Sequence, residues 1–427
     1  MKPFTAILIG TVWPEPRSSA AGFRDQNLLE MLRMRPGARI ILASPSKEND
    51  FAQEWLTDGY EIVPIEANDS GFDAWIAEVC PDLVIFDRFI MEEQFGWRVR
   101  EQCPAALRVV DNQDLHFLRR GRMAGLEVDD ECLLREIASY LRSDLTLVIS
   151  HYEFDLLKGK YDIPDRYLMH LPFTYENPAE RVQGLKAFGE RSGFMMIGNF
   201  RHQPNLDAFY YLKNEVWPEI RKLKPDAKID IFGAYPPKDI SQCHSPQDGF
   251  FVRGPVEDHH AQFQSHRVSL APLRIGAGIK GKISDSWFNG TPVITTSIGA
   301  EGMVECDSDF PGIIANDSQT FAENAVGVYE NDRLWSIYSS SGLRILKSEY
   351  GFKKHAQRFW ERIEFHRMNI DKLRKEGLMG RILWHSRQQS TKYFSKWIEA
   401  KNANVELSDI SPNGNLTSDN CKSDLNL

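Results

Sequence analysis

The chain has 427 residues, a formal net charge of −9 and 42% hydrophobic residues, and its length exceeds the size at which one hydrophobic core usually keeps growing, so two domains are expected. The acidic balance excludes global binding to nucleic acid, and no stretch approaches the roughly 18 consecutive apolar residues of a membrane-spanning helix. Six scattered cysteines (Cys80, Cys103, Cys132, Cys243, Cys306, Cys421) form no C-x-x-C pair and no metal-like spacing with histidine, which points to a reducing compartment and no structural zinc.

The opening MKPFTAILIGTVWPEP has one lysine, a short apolar run and no small-residue cleavage site. It reads as a first strand, not a signal peptide, and a cytoplasmic location is expected. Strand-length apolar runs then alternate with helical patterns: TAILIG, ARIILAS, YEIVPI, DLVIFD, LRVVD, LTLVIS and YLMHL. This alternation predicts a doubly wound, mostly parallel sheet in a first domain, residues 1–178. The polar stretch 179–192 is the expected linker.

A second alternation follows: FMMIG, a helical Asn205 to Leu223, KIDIFG, FFVRG, VSLAPL, a helix near Ile283 to Asn289, PVITT and GIIAN. It predicts a second domain over 193–348. The fold class is thus α/β, with two Rossmann-like, doubly wound domains facing a cleft and a helical C-terminal extension. Ligands of such sheets sit at the carboxyl ends of the strands, where loops meet helix N-termini. Residues 349–370 are expected to cross back to the first domain. Residues 371–401 carry eight Lys or Arg against three acidic residues, interleaved with aromatic and aliphatic side chains. Such a segment either lies on an anionic membrane, as a peripheral contact, or packs on the body through its aromatics. The polar 402–427, rich in Asn, Ser and Asp, is expected to be disordered.

The run LAPLRIGAGIKGKISDSWFNGTPVITTSIGAEGM carries the most chemistry. Its loop, with Gly276 and Gly278, lets backbone amides approach a phosphate, and the start of the following helix adds its dipole. Arg274, Lys280 and Lys282 add positive charge, with Arg201 a further candidate. The pattern is neither a Walker loop nor a dinucleotide G-x-G-x-x-G. A plain structural turn remains the alternative for such a loop taken alone.

G-A-G-I-K-G-K, then Asp285, then N-G-T-P-V-I-T-T and I-G-A-E-G-M, resembles the donor signature of retaining glycosyltransferases of the family-four, group-one type. IGNFRHQPNLDAFYYLKNEVWPEI, DIFGAYPP and GPVEDHHAQFQSHRVSLAPLR extend the likeness to about a third of the chain. The resemblance implies a GT-B architecture and a nucleotide-sugar donor, used as a co-substrate with no cofactor. It also implies transfer to a hydroxyl of a glycan or lipid-linked acceptor, with retention and without metal. In that family a loop and helix N-terminus bind the diphosphate and an acidic helix residue binds ribose, which assigns the ribose to Asp285; a solvated helix position is its alternative. The family's pair of glutamates maps onto Ala277 and Asp285, so the sugar loses its expected carboxylate at Ala277. Glu301 faces the donor, where it is a catalytic candidate that orients the acceptor, or caps a turn.

On the acceptor side, the small-residue loop after the first strand makes Gly22 and Arg24 candidates bordering acceptor and phosphates, or simply a close-packed loop and a surface arginine. RVVDNQDLHFLRRGR places Asp114 and His116 past a strand end, where they can position a sugar hydroxyl or share a proton. A core or capping histidine is the other reading. Two further functions fit the same architecture: a nucleotide-sugar epimerase, and a non-catalytic subunit, the latter motivated by Ala277.

Overall fold

Parallel strands buried on both faces require near-continuous apolar sequence; each run above contains a strand, the central ones largely buried and the edge strands Glu61–Pro64, Phe250–Gly254 and Ile313–Ile314 partly exposed. A computed structural model describes residues 3–176, 184–386 and 392–401; 177–183, in which part of the expected linker falls, and the tail 402–427 lie outside the described residues. In the first half, β1 (Thr5–Ile9), β2 (Arg39–Ser44), β3 (Glu61–Pro64), β4 (Leu83–Asp87), β5 (Leu107–Asp111), β6 (Leu145–Val148) and β7 (Leu168–His170) form a parallel sheet in the order β3-β2-β1-β4-β5-β6-β7. In the second half, β8 (Phe194–Ile197), β9 (Ile229–Phe232), β10 (Phe250–Gly254), β11 (Val268–Ala271), β12 (Val293–Thr295) and β13 (Ile313–Ile314) form a second parallel sheet, β10-β9-β8-β11-β12-β13.

Alternate residues of a strand point to opposite faces, and β1 shows it. Ile7 and Ile9 join Val84, Phe86 and Val110 in one apolar cluster, while Ala6 and Leu8 join Ile85, Leu107 and Val109 in another. Each sheet reverses its winding once, between β1 and β4 and between β8 and β11. The crevice outside the carboxyl ends at such a reversal is where α/β sheets bind ligands.

The two domains share a core of their own. Ile149, Phe173 and Tyr175 of the first pack with Ile279, Ile283, Trp287, Ala300 and Met303 of the second. The helix Phe352–Met368 then lies on the first sheet. Phe352, Ala356, Phe359 and Ile363, spaced to share one helix face, are buried with Phe4, Leu8 and Leu32. The Trp360 indole donates to the Met31 carbonyl at 2.8 Å.

The basic segment also packs on the first domain. In the helix Ile370–Glu376, Arg374 donates to both oxygens of Asp144 at 2.7 Å. Trp384, in Leu378–Ser386, is buried and donates to the Arg142 carbonyl at 3.0 Å. Helical residues 392–401 pair Lys392 with Glu101 at 2.6 Å and Ser395 with Arg98 at 3.0 Å. Tyr393, Phe394 and Trp397 stay exposed. Among the described residues, no helix is long and apolar enough to cross a membrane.

Candidate active site in the interdomain cleft

The donor loop leaves β11 and turns through Gly276 (φ 146°) and Gly278 (φ 65°), left-handed conformations that favour glycine. A side chain at Gly278 would also collide with the other domain, since a Cβ there would lie 2.9 Å from the Cβ of Asp114. The loop delivers the chain to the helix Gly281–Phe288, whose N-cap residue, Lys280, makes no side-chain capping bond. The first amides of a helix have no intrahelical partner, and with the helix dipole they suit an anion.

Two lysines flank that helix start. Lys280 is buried, with its Nζ 2.7 Å from the Gly278 carbonyl, and burial pushes its ammonium down to about 8. Lys282 donates to Asn205 Oδ1 at 2.5 Å, and burial likewise lowers it to about 8. Neither has a carboxylate within hydrogen-bonding distance among the described residues, so an incoming diphosphate would stabilise the ammonium charge that burial opposes. Asp285, one turn along, accepts from the Tyr175 hydroxyl at 2.8 Å and lies 3.7 Å from His259.

Across the cleft, the loop after β5 enters the helix His116–Met123. Asp114 accepts from Arg119 at 2.6 Å, and His116 Nε2 lies 3.5 Å from its other oxygen. Burial works against ionised Asp114, but the charges of Arg119, His116 and His202 hold it below the ordinary carboxylate range. Burial pushes His116 down to about 4, leaving a neutral imidazole at physiological pH. Its Nε2 has no hydrogen-bond partner. His202 stands at the N-cap of the helix Gln203–Tyr211 on the opposite domain and is exposed there.

Two contacts join the faces directly. Glu153 Oε1 accepts the amides of Leu115 at 2.9 Å and Gly278 at 2.8 Å, one from each domain. Burial, with Asp114 adding to it, raises this carboxyl to about 7, and its Oε2 is buried with no hydrogen-bond partner. Arg122 grips Glu301 through both guanidinium arms at 2.7 and 2.8 Å and also donates to the Gly276 carbonyl at 2.7 Å.

Asp114, His116, Gly276, Gly278, Lys280, Lys282, Asp285 and Glu301 therefore come together at this cleft, whereas four other candidates are engaged elsewhere. Arg274 turns back to Asp207 at 2.6 Å and stacks over Tyr211. Arg201 is exposed and covers the Tyr235 ring at 3.5 Å. Arg24 is wholly buried, chelating Asp111 and donating to the Leu171 and Pro172 carbonyls, so its guanidinium fastens β5 to the strand exit. Gly22 serves close packing, because a Cβ there would fall 2.3 Å from the Glu15 backbone.

Sequence reasoning missed Glu153, Arg119, Arg122 and His202. It also missed Arg88, held at φ 67° beyond β4 and bonded to Asp87 and Thr11. Glu153 had a usable signal: Ser150 caps its helix by accepting the Glu153 amide at 3.0 Å, and S-x-x-E after an apolar strand is capping wording.

Residues 191–331 match the family model described as "Glycosyl transferases group 1". An uncharacterized 44.6 kDa protein in the cps region of Klebsiella pneumoniae is 25% identical over 218 residues, covering 49% of this chain and 54% of that relative. The chain thus matches about half the length of this curated relative. Among solved structures, a glycosyltransferase from Rickettsia africae superposes with a TM-score of 0.63 at 10% identity, over 85% of this chain and 98% of that one. HepE from Anabaena, in complex with UDP and glucose, gives 0.65 at 11% identity over 84% and 99%. The pneumococcal O-GlcNAc transferase GtfA, in complex with UDP and GlcNAc, gives 0.61 at 12% over 85% and 99%. The chain has the two-domain GT-B fold of these structures, and its residues 191–331 are similar to the group 1 glycosyl transferases.

Proposed function

We propose that this protein transfers a glycosyl unit from a nucleotide sugar to a hydroxyl acceptor, with retention at the anomeric carbon and without a metal ion. The observation that carries the reading is the start of the helix Gly281–Phe288, with no side-chain cap and with Lys280 and Lys282 beside it, opposite Asp114, His116 and Glu153. The helix start and the two lysines take the diphosphate, and Asp285 takes the ribose. The bond from the anomeric carbon to the diphosphate oxygen breaks, and one to the acceptor oxygen forms. The lysines and helix dipole stabilise the departing charge.

The cleft histidine orients and does not act as the base. An imidazole lowered to about 4 accepts a hydrogen bond at neutral pH but holds a proton poorly, so the acceptor's proton goes to the departing diphosphate. Glu153 stands where the donor loop meets the acceptor face, and its unpartnered Oε2 supplies a carboxylate that Ala277 does not. Nucleotide-sugar use is supported by the UDP and sugar named in the complexes of HepE and GtfA. A role in surface polysaccharide assembly is supported by the cps-region relative. The packed basic helices with their exposed aromatics favour a peripheral position on the inner face of the membrane, near a lipid-linked or growing glycan acceptor.

Nucleoside diphosphate release from a panel of nucleotide sugars, with and without acceptor glycans, tests this. Acceptor-stimulated release that is lost in Lys280→Ala supports transfer. Epimerisation without release would establish the epimerase reading instead, and no turnover of any donor would leave a non-catalytic subunit.

A further inference from the structure

On the side of the first domain away from the cleft, at the amino-terminal ends of β5 and β6, the C-terminal helices close over a cavity of about 80 Å³. Six arginines line it, Arg100, Arg108, Arg142, Arg166, Arg374 and Arg381, against one carboxylate, Asp144. Part of this charge is matched internally: Arg374 takes both oxygens of Asp144, and Arg142 is held by Glu92. Arg108 is matched poorly. Its side chain is 4% exposed, its Nε lies 3.6 Å from Asp144, and neither Nε nor Nη1 has a hydrogen-bond partner.

Two more groups at the cavity, the Nε of Arg166 and the hydroxyl of Ser143, are buried without hydrogen-bond partners. Burial pushes Arg108 down to about 10, Asp144 opposes this, and Arg374 and Arg100 add to it. A buried cation with unfilled donors costs folding free energy unless an anion meets it. Guanidinium forks fit the oxygens of phosphate, which accepts several such bonds at once. Leu378, Met379 and Ile382 are exposed on the helix that closes the cavity, so an acyl chain would find apolar surface beside it.

We propose that this cavity binds a phosphate group, carried by a phospholipid headgroup or free in solution, at a site separate from the cleft. The strands of the first sheet lie between the two places. Arg108 is the second residue of β5, whereas Asp111 ends that strand on the cleft side. The proposal does not depend on what the cleft catalyses.

The full chain is titrated with inorganic phosphate against chloride at equal ionic strength, by calorimetry. In a second arm it is sedimented with phosphatidylcholine vesicles, with or without phosphatidate. The variants are Arg108→Gln and Arg381→Gln. Arg381 is exposed, and its recorded bond is a long one to the Lys375 carbonyl, so folding does not rest on it. Lys372→Gln removes the same charge outside the cavity lining. Roughly tenfold weaker binding is expected in each arginine variant, from loss of a charge-assisted bond, with Lys372→Gln unchanged. The loss falls in the vesicle arm for a headgroup and in the phosphate arm for a free ion; either supports the site. No phosphate-dependent binding in either arm, binding that survives both arginine substitutions, or an equal loss in Lys372→Gln would overturn it.

Discussion

Glu153→Gln probes the seam between the two halves of the cleft. Burial holds this carboxyl at about 7, whereas the same group in an unfolded chain titrates near ~4.3. The folded protein therefore binds the proton more tightly, so stability is full below the unfolded value and falls as pH rises toward 7. A displacement of that size is worth roughly 4 kcal/mol, at about 1.4 kcal/mol per pH unit. Glutamine does not ionise, yet keeps an oxygen for the amides of Leu115 and Gly278. The variant is expected to match the native protein near pH ~4 and to exceed it by up to roughly 4 kcal/mol near pH ~8. Glu136, raised to about 8 by burial, loses stability over a similar range in both proteins and cancels in the comparison. Urea unfolding at the two pH values measures the difference, and the same pH dependence in both proteins would refute the reasoning. Because the carboxylate is also assigned to the sugar, kcat should fall in the variant while nucleoside diphosphate affinity holds.

Arg24→Met strands the Asp111 carboxylate in the core, at an expected cost of about 3–5 kcal/mol; adding Asp111→Asn should recover part of it, read by denaturant midpoints. Gly278→Ala puts a Cβ against Asp114 at a left-handed position. It should cost about 1–2 kcal/mol and lower transfer by prising donor loop from acceptor face, measured by thermal melts and product formation. Asp285→Ala should weaken nucleoside diphosphate binding about tenfold through lost hydroxyl bonds, while the unsubstituted inorganic diphosphate, lacking ribose, binds unchanged in calorimetry. His116, lowered to about 4 by burial, contributes stability that is present above pH ~6.5 and lost as pH falls toward 4, so His116→Gln should flatten the acid arm of the stability profile.

The strands were legible because parallel sheets buried on both faces write themselves as short apolar runs, and FMMIG or DLVIFD admit little else. The helix expected over Asn205 to Leu223 was less transparent. It is interrupted by a wide turn at Leu212–Val216, just before Pro218, whose missing N–H cannot close the regular ladder. The local part of the site, Lys280, Lys282 and Asp285, was readable because loop, helix start and first turn are contiguous. The rest depends on partners far away in sequence. Nothing near Arg274 announces that Asp207 will hold it, and a buried Arg24 looks like a surface arginine until β5 supplies Asp111. Glu153 and Arg122 acquire their roles only when the second domain brings Gly278 and Glu301 to them.

The most direct test of the account is a crystal structure of the protein with a bound nucleoside diphosphate. The account predicts both phosphates at the start of the helix Gly281–Phe288, within hydrogen-bonding reach of Lys280 or Lys282, and the ribose against Asp285. Phosphates bound anywhere else, with those lysines still turned to Gly278 and Asn205, would contradict it.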